Sequence, residues 1–168
     1  MSRRRVRRIA LCLALVNASS SLTACAGSGS GPEAPAEVAL ETVSGSSTSI
    51  TDQLGDRPML VSMWAVWCQP CRRELPELQN ISRSNSGVDV LAVNVGDDPQ
   101  RITEYLDDMS LELPVAIDPV GDLLTALDVG TVPATVLFDR DGTILWGHLG
   151  AVSADQVEAA LREFVPQS

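Results

Sequence analysis

Two cysteines separated by two residues constrain this chain more than any other feature of its sequence. Cys68 and Cys71 follow residues 59–64, a run of six β-forming or apolar residues that predicts a buried strand. Residues 72–82 carry apolar side chains at helical spacing, which predicts a helix. The pair therefore lies where a strand gives way to a helix, and two thiols at this spacing can form a disulfide with each other.

The strand-to-helix position favours thiol chemistry. A cysteine at a helix N-terminus meets unpaired backbone N–H groups and the positive end of the helix dipole, and both stabilise a thiolate. Cysteines in such places have pKa values lowered to roughly 3.5–7.5. Pro70 limits the turn between the sulfurs, so we expect the pair to be held close before the regular helix begins. The pair indicates dithiol–disulfide exchange, a nucleophilic reaction that needs no cofactor.

Three other uses of the cysteine pair stay open. One is a purely structural disulfide. A second is a structural zinc site, for which the chain offers only Cys12, Cys25 and His148 as further Cys or His ligands. A third is a copper-binding module, with the metal held between Cys68 and Cys71 and His148 as its third ligand.

The N-terminus predicts export from the cytoplasm. Residues 3–8 hold five arginines, followed by a short apolar stretch and by residues 22–25, Leu-Thr-Ala-Cys. This order is that of an export signal, and its apolar part is too short to stay in a bilayer as a spanning helix. Leu-x-Ala-Cys resembles the lipobox of bacterial lipoproteins, which implies cleavage before Cys25 and a lipid on its sulfur. The alternative is an ordinary secretory signal that leaves Cys25 free.

The remaining chain predicts one domain behind a tether. We expect a lipoprotein signal peptide over residues 1–24, a flexible membrane tether over 25–37 and a single domain over 38–168. The signal peptide holds five of the 12 basic residues and none of the 22 acidic ones. The mature chain therefore has seven basic and 22 acidic residues, a net charge of −15. Such a charge disfavours nucleic acid and anionic lipid head groups as partners. The chain has no lysine, which excludes Schiff-base chemistry.

Strand and helix patterns alternate along the domain. They predict an opening strand or hairpin over 38–50, a short turn over 52–55, strands over 59–64, 88–95 and 115–117, helices over 72–82 and 122–127, a hairpin over 135–146, and a last helix over 154–164 that Ser153 caps. Asp97 or Asp98 is expected to cap one further helix, whose inward stripe includes Met109. This order predicts an α/β fold with a central mixed β-sheet flanked by helices on both faces.

Two segments carry a family resemblance. Residues 60–76, Leu-Val-Ser-Met-Trp-Ala-Val-Trp-Cys-Gln-Pro-Cys-Arg-Arg-Glu-Leu-Pro, resemble the active-site segment of the TlpA/ResA-like thioredoxins. Residues 131–135, Thr-Val-Pro-Ala-Thr, resemble the cis-proline loop of that family. The likeness extends from about residue 38 to residue 165. It implies a thioredoxin-like fold and the activity of a membrane-anchored, extracytoplasmic thiol–disulfide oxidoreductase.

The resemblance also implies roles for single residues. Cys68 is the nucleophile and the more exposed cysteine, and Cys71 resolves the mixed disulfide. Trp67, Val132 and Pro133 are implied in substrate binding. Trp67 is expected to pack beside the sulfurs, and a cis Pro133 would leave the backbone of Val132 free to pair with an extended substrate.

Glu74 matches an acidic residue of the same motif and lies three residues after Cys71. We expect it to carry a proton to or from Cys71, or to raise a thiol pKa through like-charge proximity. The alternative is a carboxylate that merely suits the first turn of a helix. Thioredoxin itself has a buried aspartate where this chain has Ser62, which cannot take the place of that carboxylate.

The resemblance further implies the partners. These are thiols or disulfides of exported proteins, and a membrane protein that donates or accepts electrons; no metal or other cofactor is required, and we expect a monomer. Many family members reduce apocytochrome c during cytochrome c maturation, whereas related exported proteins oxidise their substrates. Residues 69–70, Gln-Pro, do not decide the direction, because redox poise depends on how strongly each oxidation state is stabilised. Our expectation is a reductase.

Overall fold

The fold is a single mixed sheet with helices on both faces, seen in a computed structural model that describes residues 32–84 and 87–165. The strands are β1 Leu40–Thr42, β2 Ser47–Thr48, β3 Met59–Trp64, β4 Asp89–Val95, β5 Val115–Asp118, β6 Ala134–Phe138 and β7 Ile144–Leu149. The helices are α1 Ile50–Gln53, α2 Gln69–Arg83, α3 Pro99–Asp108, α4 Asp122–Ala126 and α5 Ala154–Phe164. The expected α/β architecture is confirmed.

The sheet places β3 in its interior. Within the described residues the strand order is β2-β1-β5-β4-β3-β6-β7. Strands β3, β4 and β5 run parallel, whereas β6 is antiparallel to β3, and β7 to β6. The carboxyl ends of β3 and β4 and the start of β6 therefore meet at one edge of the sheet. The cysteine motif, which follows β3, lies at this edge.

The side chains of β3 alternate between two apolar cores. Leu60 and Trp64 belong to the cluster that also contains buried residues of α2, α3 and α5. Val61 and Met63 belong to the cluster on the opposite face, which contains residues of α1 and α4. Leu60, Val61, Met63 and Trp64 are all 0% exposed, and full burial of one such side chain contributes about 1.5–3 kcal/mol. Burial on both faces explains why β3 is almost continuously apolar.

Three expectations about the helices were wrong. Residues 50–53 form α1, one turn of helix capped by the Ser49 side chain, where only a turn after a hairpin was expected. Helix α2 begins at Gln69 and not at residue 72, because Pro70 suits the first turn of a helix, where no N–H is needed. Met109 is 41% exposed because α3 ends before it and Met109 is only the C-cap.

The start of the domain also differs from expectation. The predicted tether, residues 25–37, includes Glu33, which forms an antiparallel bridge with Thr143. The Ala34 N–H donates to the Gly142 carbonyl at 2.7 Å, so the chain is already paired with the sheet here. The ordered domain thus includes residues before 38. The signal peptide, Cys12 and Cys25 lie outside the described residues, and within the described ranges no helix has the length and apolar character needed to cross a bilayer.

Candidate active site

The two cysteines form a disulfide at the start of α2. The Cys68 and Cys71 sulfurs are 1.95 Å apart, and the two Cα atoms are 5.3 Å apart. Cys68 is the N-cap of the helix, and its sulfur accepts a hydrogen bond from the Cys71 N–H at 3.3 Å. In the reduced protein this N–H and the helix dipole favour a thiolate on Cys68 over one on Cys71.

The cysteine pair is almost buried. Cys68 is 3% exposed and Cys71 is 0% exposed. Cys68 is therefore the more exposed cysteine, as expected. Its exposed fraction is nevertheless much smaller than that of a freely accessible nucleophile. Both side chains belong to the core cluster around Trp64 and Leu75, which explains their low exposure. A partner thiol can reach the pair only through the small exposed part of Cys68.

The residues expected to bind substrate have different surroundings. Trp67 is 67% exposed, so its ring is available to a partner protein. The Val132–Pro133 peptide bond is cis, as the resemblance implied, and Pro133 is buried. The backbone of Val132 is not entirely free, because its carbonyl accepts a hydrogen bond of 3.3 Å from the Thr131 hydroxyl. The substrate-binding roles of these residues stay predictions.

Glu74 lies inside the protein and not at a solvated helix start. It is 2% exposed, and its Oε1 accepts hydrogen bonds from the Thr135 hydroxyl at 3.0 Å and from the Ser62 hydroxyl at 3.3 Å. Its Oε2 has no close hydrogen-bond donor among the residues that the structure describes. Burial raises the pKa of Glu74 from its ordinary 4.5 to about 7, although the hydrogen bonds from Thr135, Ser62 and the Val152 backbone lower it. This carboxyl can therefore take up or release a proton near neutral pH.

Two hydroxyl groups that could not be assigned to the site from the sequence hold Glu74. Ser62 and Thr135 are a directly paired couple on β3 and β6, and both are buried. The available signal was one polar residue within each otherwise apolar strand. Their pairing depends on a sheet register between segments about 70 residues apart, so it could not be predicted from spacing along the chain.

The aromatic and basic residues near the motif pack against one another. Trp64 is 0% exposed, and its ring lies 5.6 Å from that of Tyr105 on α3. The Arg72 guanidinium lies 5.1 Å above the Tyr105 ring, an arrangement that favours a cation–π contact. Arg72 thus has a packing contact, whereas Arg73 is exposed.

His148 does not join the cysteines. It lies on β7, and its ring stacks on that of Trp146 with 5.8 Å between the centroids. Among residues 32–84 and 87–165, no three His, Cys, Asp or Glu side chains come together as a possible metal site. The ligand set considered for copper, Cys68, Cys71 and His148, is therefore not assembled in this structure.

Comparison with known proteins decides the family. Residues 29–161 match the model of the Redoxin family. The chain belongs to this family. A thiol-disulfide oxidoreductase ResA from Geobacillus kaustophilus is 29% identical over 138 residues, which are 81% of this chain and 78% of the relative. A ResA from Oceanobacillus iheyensis is 30% identical over 129 residues, 76% of this chain and 67% of the relative.

Two solved structures resemble this Redoxin-family chain along nearly their whole length. StoA from Bacillus subtilis is 25% identical, with a TM-score of 0.64 over 77% of this chain and 98% of its own. A thiol:disulfide interchange protein DsbE from Chlorobium tepidum is 28% identical, with a TM-score of 0.70 over 82% of this chain and 98% of its own. The chain is a TlpA/ResA-like thiol–disulfide oxidoreductase with a thioredoxin-like fold.

Proposed function

We propose that this oxidoreductase reduces disulfides of exported proteins outside the cytoplasm, with Glu74 as the proton carrier of the reaction. The observation that carries the proposal is the buried position of Glu74 and its raised pKa. It lies one helical turn after Cys71 on the buried face of α2, and side chains three residues apart are neighbours on a helix. With a pKa of about 7, it exchanges a proton under the conditions in which Cys71 must lose one.

The proposed reaction begins at Cys68. Its thiolate attacks one sulfur of the substrate disulfide, forms a mixed disulfide and releases the other substrate sulfur as a thiolate. Cys71 then gives its proton to the Glu74 carboxylate and attacks the Cys68 sulfur. The second substrate thiolate leaves, and the Cys68–Cys71 disulfide forms. Two electrons pass from the protein to the substrate, and a dithiol partner protein in the membrane restores the reduced pair.

Glu74→Gln tests the proton transfer. We expect the rate of exchange at pH 7 to fall by roughly 100-fold, the usual size of a general acid–base contribution. The matched control is Glu77→Gln, because Glu77 is exposed on the same helix one turn further on. Unchanged exchange rates and pH profiles in Glu74→Gln would refute the role of Glu74.

The reduction potential and the cellular redox state test the direction. A reductase has a potential near about −270 mV, like thioredoxin, whereas a strong oxidant has one near about −120 mV. We expect the lower value, and we expect alkylation of intact cells to trap Cys68 and Cys71 as free thiols. A potential close to −120 mV with a disulfide in cells would assign the opposite function, oxidation of exported proteins.

A trapping variant identifies the substrate class. Cys71→Ser cannot resolve a mixed disulfide, so exported partners should stay attached to Cys68. We propose that they include apocytochrome c, which carries two cysteines at its haem-attachment motif. The control is Cys68→Ser with Cys71→Ser, which should capture nothing. A Cys71→Ser protein that captured only cytoplasmic proteins would contradict the proposed location.

We further propose that a lipid on Cys25 anchors the mature protein to the cell membrane. The order of basic, apolar and small residues before Cys25 supports this assignment. Labelled palmitate should enter the wild-type protein and not Cys25→Ser, and the label should stay with the membrane fraction. An unlabelled protein that is nevertheless exported would indicate an ordinary secretory signal.

A further inference from the structure

A buried carboxylate binds the backbone of the active-site loop. Asp97 Oδ2 accepts a hydrogen bond from the Val66 N–H at 2.6 Å and one from the Asn94 side-chain amide at 3.0 Å. The Asp97 N–H in turn donates to Asn94 Oδ1 at 3.1 Å. Asn94 is 0% exposed and Asp97 is 8% exposed. These contacts, here called the Asp97 latch, join the end of β4 to a loop that is 31 residues away in sequence.

The loop that the latch holds is the one that carries the reacting sulfur. Only residues 65–67 lie between the end of β3 and Cys68. The Cys68 N–H donates to the Ala65 carbonyl at 3.1 Å, so these residues form one turn. The latch therefore holds this turn through a contact between Asp97 and Val66. Val66 lies two positions before Cys68 and next to the exposed Trp67.

We propose that Asp97 is a positioning residue for thiol–disulfide exchange, acting through the Val66 N–H on the position of Cys68. Exchange requires the attacking sulfur to line up with the sulfur that it attacks, and Cys68 offers only a small exposed area for this. A misplacement of about 1 Å at a reacting centre can cost roughly 100-fold in rate. A fixed loop thus keeps the Cys68 sulfur in the orientation that leaves its exposed part accessible to a partner sulfur.

The latch and the disulfide restrain the same turn. In the oxidised protein, the Cys68–Cys71 bond already restrains the loop. In the reduced protein that restraint is gone, and the Asp97 latch keeps the turn ordered, so less conformational entropy is lost when the disulfide forms. Loss of the latch should therefore shift the equilibrium with glutathione toward the dithiol, by roughly threefold.

Asp97→Ala and Asp97→Asn together test the proposal. We expect oxidation of the reduced protein by glutathione disulfide, in which Cys68 is the attacking sulfur, to be at least about tenfold slower in Asp97→Ala. Asp97→Asn keeps an oxygen that can accept from Val66, so it should stay within about threefold of the wild-type rate. The control is Asp98→Asn, which removes a neighbouring carboxylate and keeps a good N-cap for α3; its rate should not change.

Several outcomes would overturn the proposal. If Asp97→Ala folds and keeps both the wild-type rate and the wild-type glutathione equilibrium, Asp97 contributes at most to stability. Equal losses in Asp97→Asn and Asp97→Ala would show that charge, not the hydrogen bond to Val66, is responsible. If Asp97→Ala does not fold, Asn94→Ala serves instead. It removes the amide that orients Asp97 Oδ2, the oxygen that binds Val66, whereas the Arg101 guanidinium lies 3.9 Å from the other oxygen, Oδ1. A wild-type rate and equilibrium in Asn94→Ala would therefore equally refute the latch.

Discussion

At the residue scale, Glu74 makes the stability of the protein depend on pH. Its pKa is about 7 in the folded protein and 4.5 in an ordinary setting, so between these values the folded chain holds a proton that the unfolded chain has lost. The stabilisation is complete below pH 4.5 and is lost as the pH rises through 7. The shift corresponds to about 3 kcal/mol.

Urea unfolding of the wild-type protein and Glu74→Gln between pH 4.5 and 8.5 measures this effect. The free energy of unfolding of the wild type should fall relative to the variant by about 3 kcal/mol across this range. Thr135→Val should move the fall to higher pH, because the Thr135 hydrogen bond lowers the pKa of Glu74. Parallel curves for all three proteins would contradict the raised pKa.

At the scale of single elements, one carboxylate holds the start of α4. Asp118 is 0% exposed at the end of β5, and it accepts hydrogen bonds from the N–H groups of Gly121, Asp122 and Leu123 at 3.0, 3.0 and 2.9 Å. Asp118→Ala removes the acceptor from all three donors, and it leaves the buried Leu123 N–H unpaired. We expect it to lower the free energy of unfolding by about 3 kcal/mol, and Asp118→Asn by about half as much.

Urea denaturation measures both Asp118 variants. The control is Asp122→Asn, an exposed carboxylate in the same turn, which should change the stability by less than about 0.5 kcal/mol. Exchange by the folded Asp118 variants should equal that of the wild type, because α4 packs on the face of the sheet opposite α2. A loss below 0.5 kcal/mol in Asp118→Ala would show that water replaces the carboxylate.

Local patterns predict the elements of this fold well where an element is long or clearly capped. The apolar run over 59–64 gives β3 with the observed bounds, and Ser153 with its helical pattern gives α5. The pattern fails for α1, a single turn whose formation depends on the Ser49 cap and the packing of Ile50. It also fails for Met109, since an apolar residue at the right spacing cannot show where a helix ends.

The candidate site shows a similar limit. The Cys68–Cys71 spacing and the motif around it are local, so the disulfide could be predicted from the sequence. The partners of Glu74 and the contact between Asp97 and Val66 join segments that are 12 to 61 residues apart. Asp97 looked like a helix cap in the sequence, but Asp98 caps α3 and Asp97 binds the loop. Such contacts follow from sheet register and not from periodicity.

At the scale of the whole molecule, the direction of electron transfer is linked to the stability of the two redox forms. Folding and disulfide formation are coupled, so a fold that favours the disulfide makes the reduced protein a better reductant, whereas a strong oxidant stabilises its reduced form. In this chain the buried Glu74 carboxyl disfavours a thiolate on its neighbour Cys71. We therefore expect the oxidised protein to be the more stable form.

Urea unfolding with and without a phosphine reductant measures this difference. The disulfide closes a loop with a sequence separation of 3, which corresponds to about 2 kcal/mol of stabilisation of the oxidised form. A variant with alanine at both Cys68 and Cys71 should not respond to the reductant. A more stable reduced form would instead indicate an oxidant.

Glu74→Gln should have a smaller difference in the free energy of unfolding between its oxidised and reduced forms above pH 7. The wild type carries a charged Glu74 at this pH, so its reduced form brings two negative charges together. The reduced form of the variant does not.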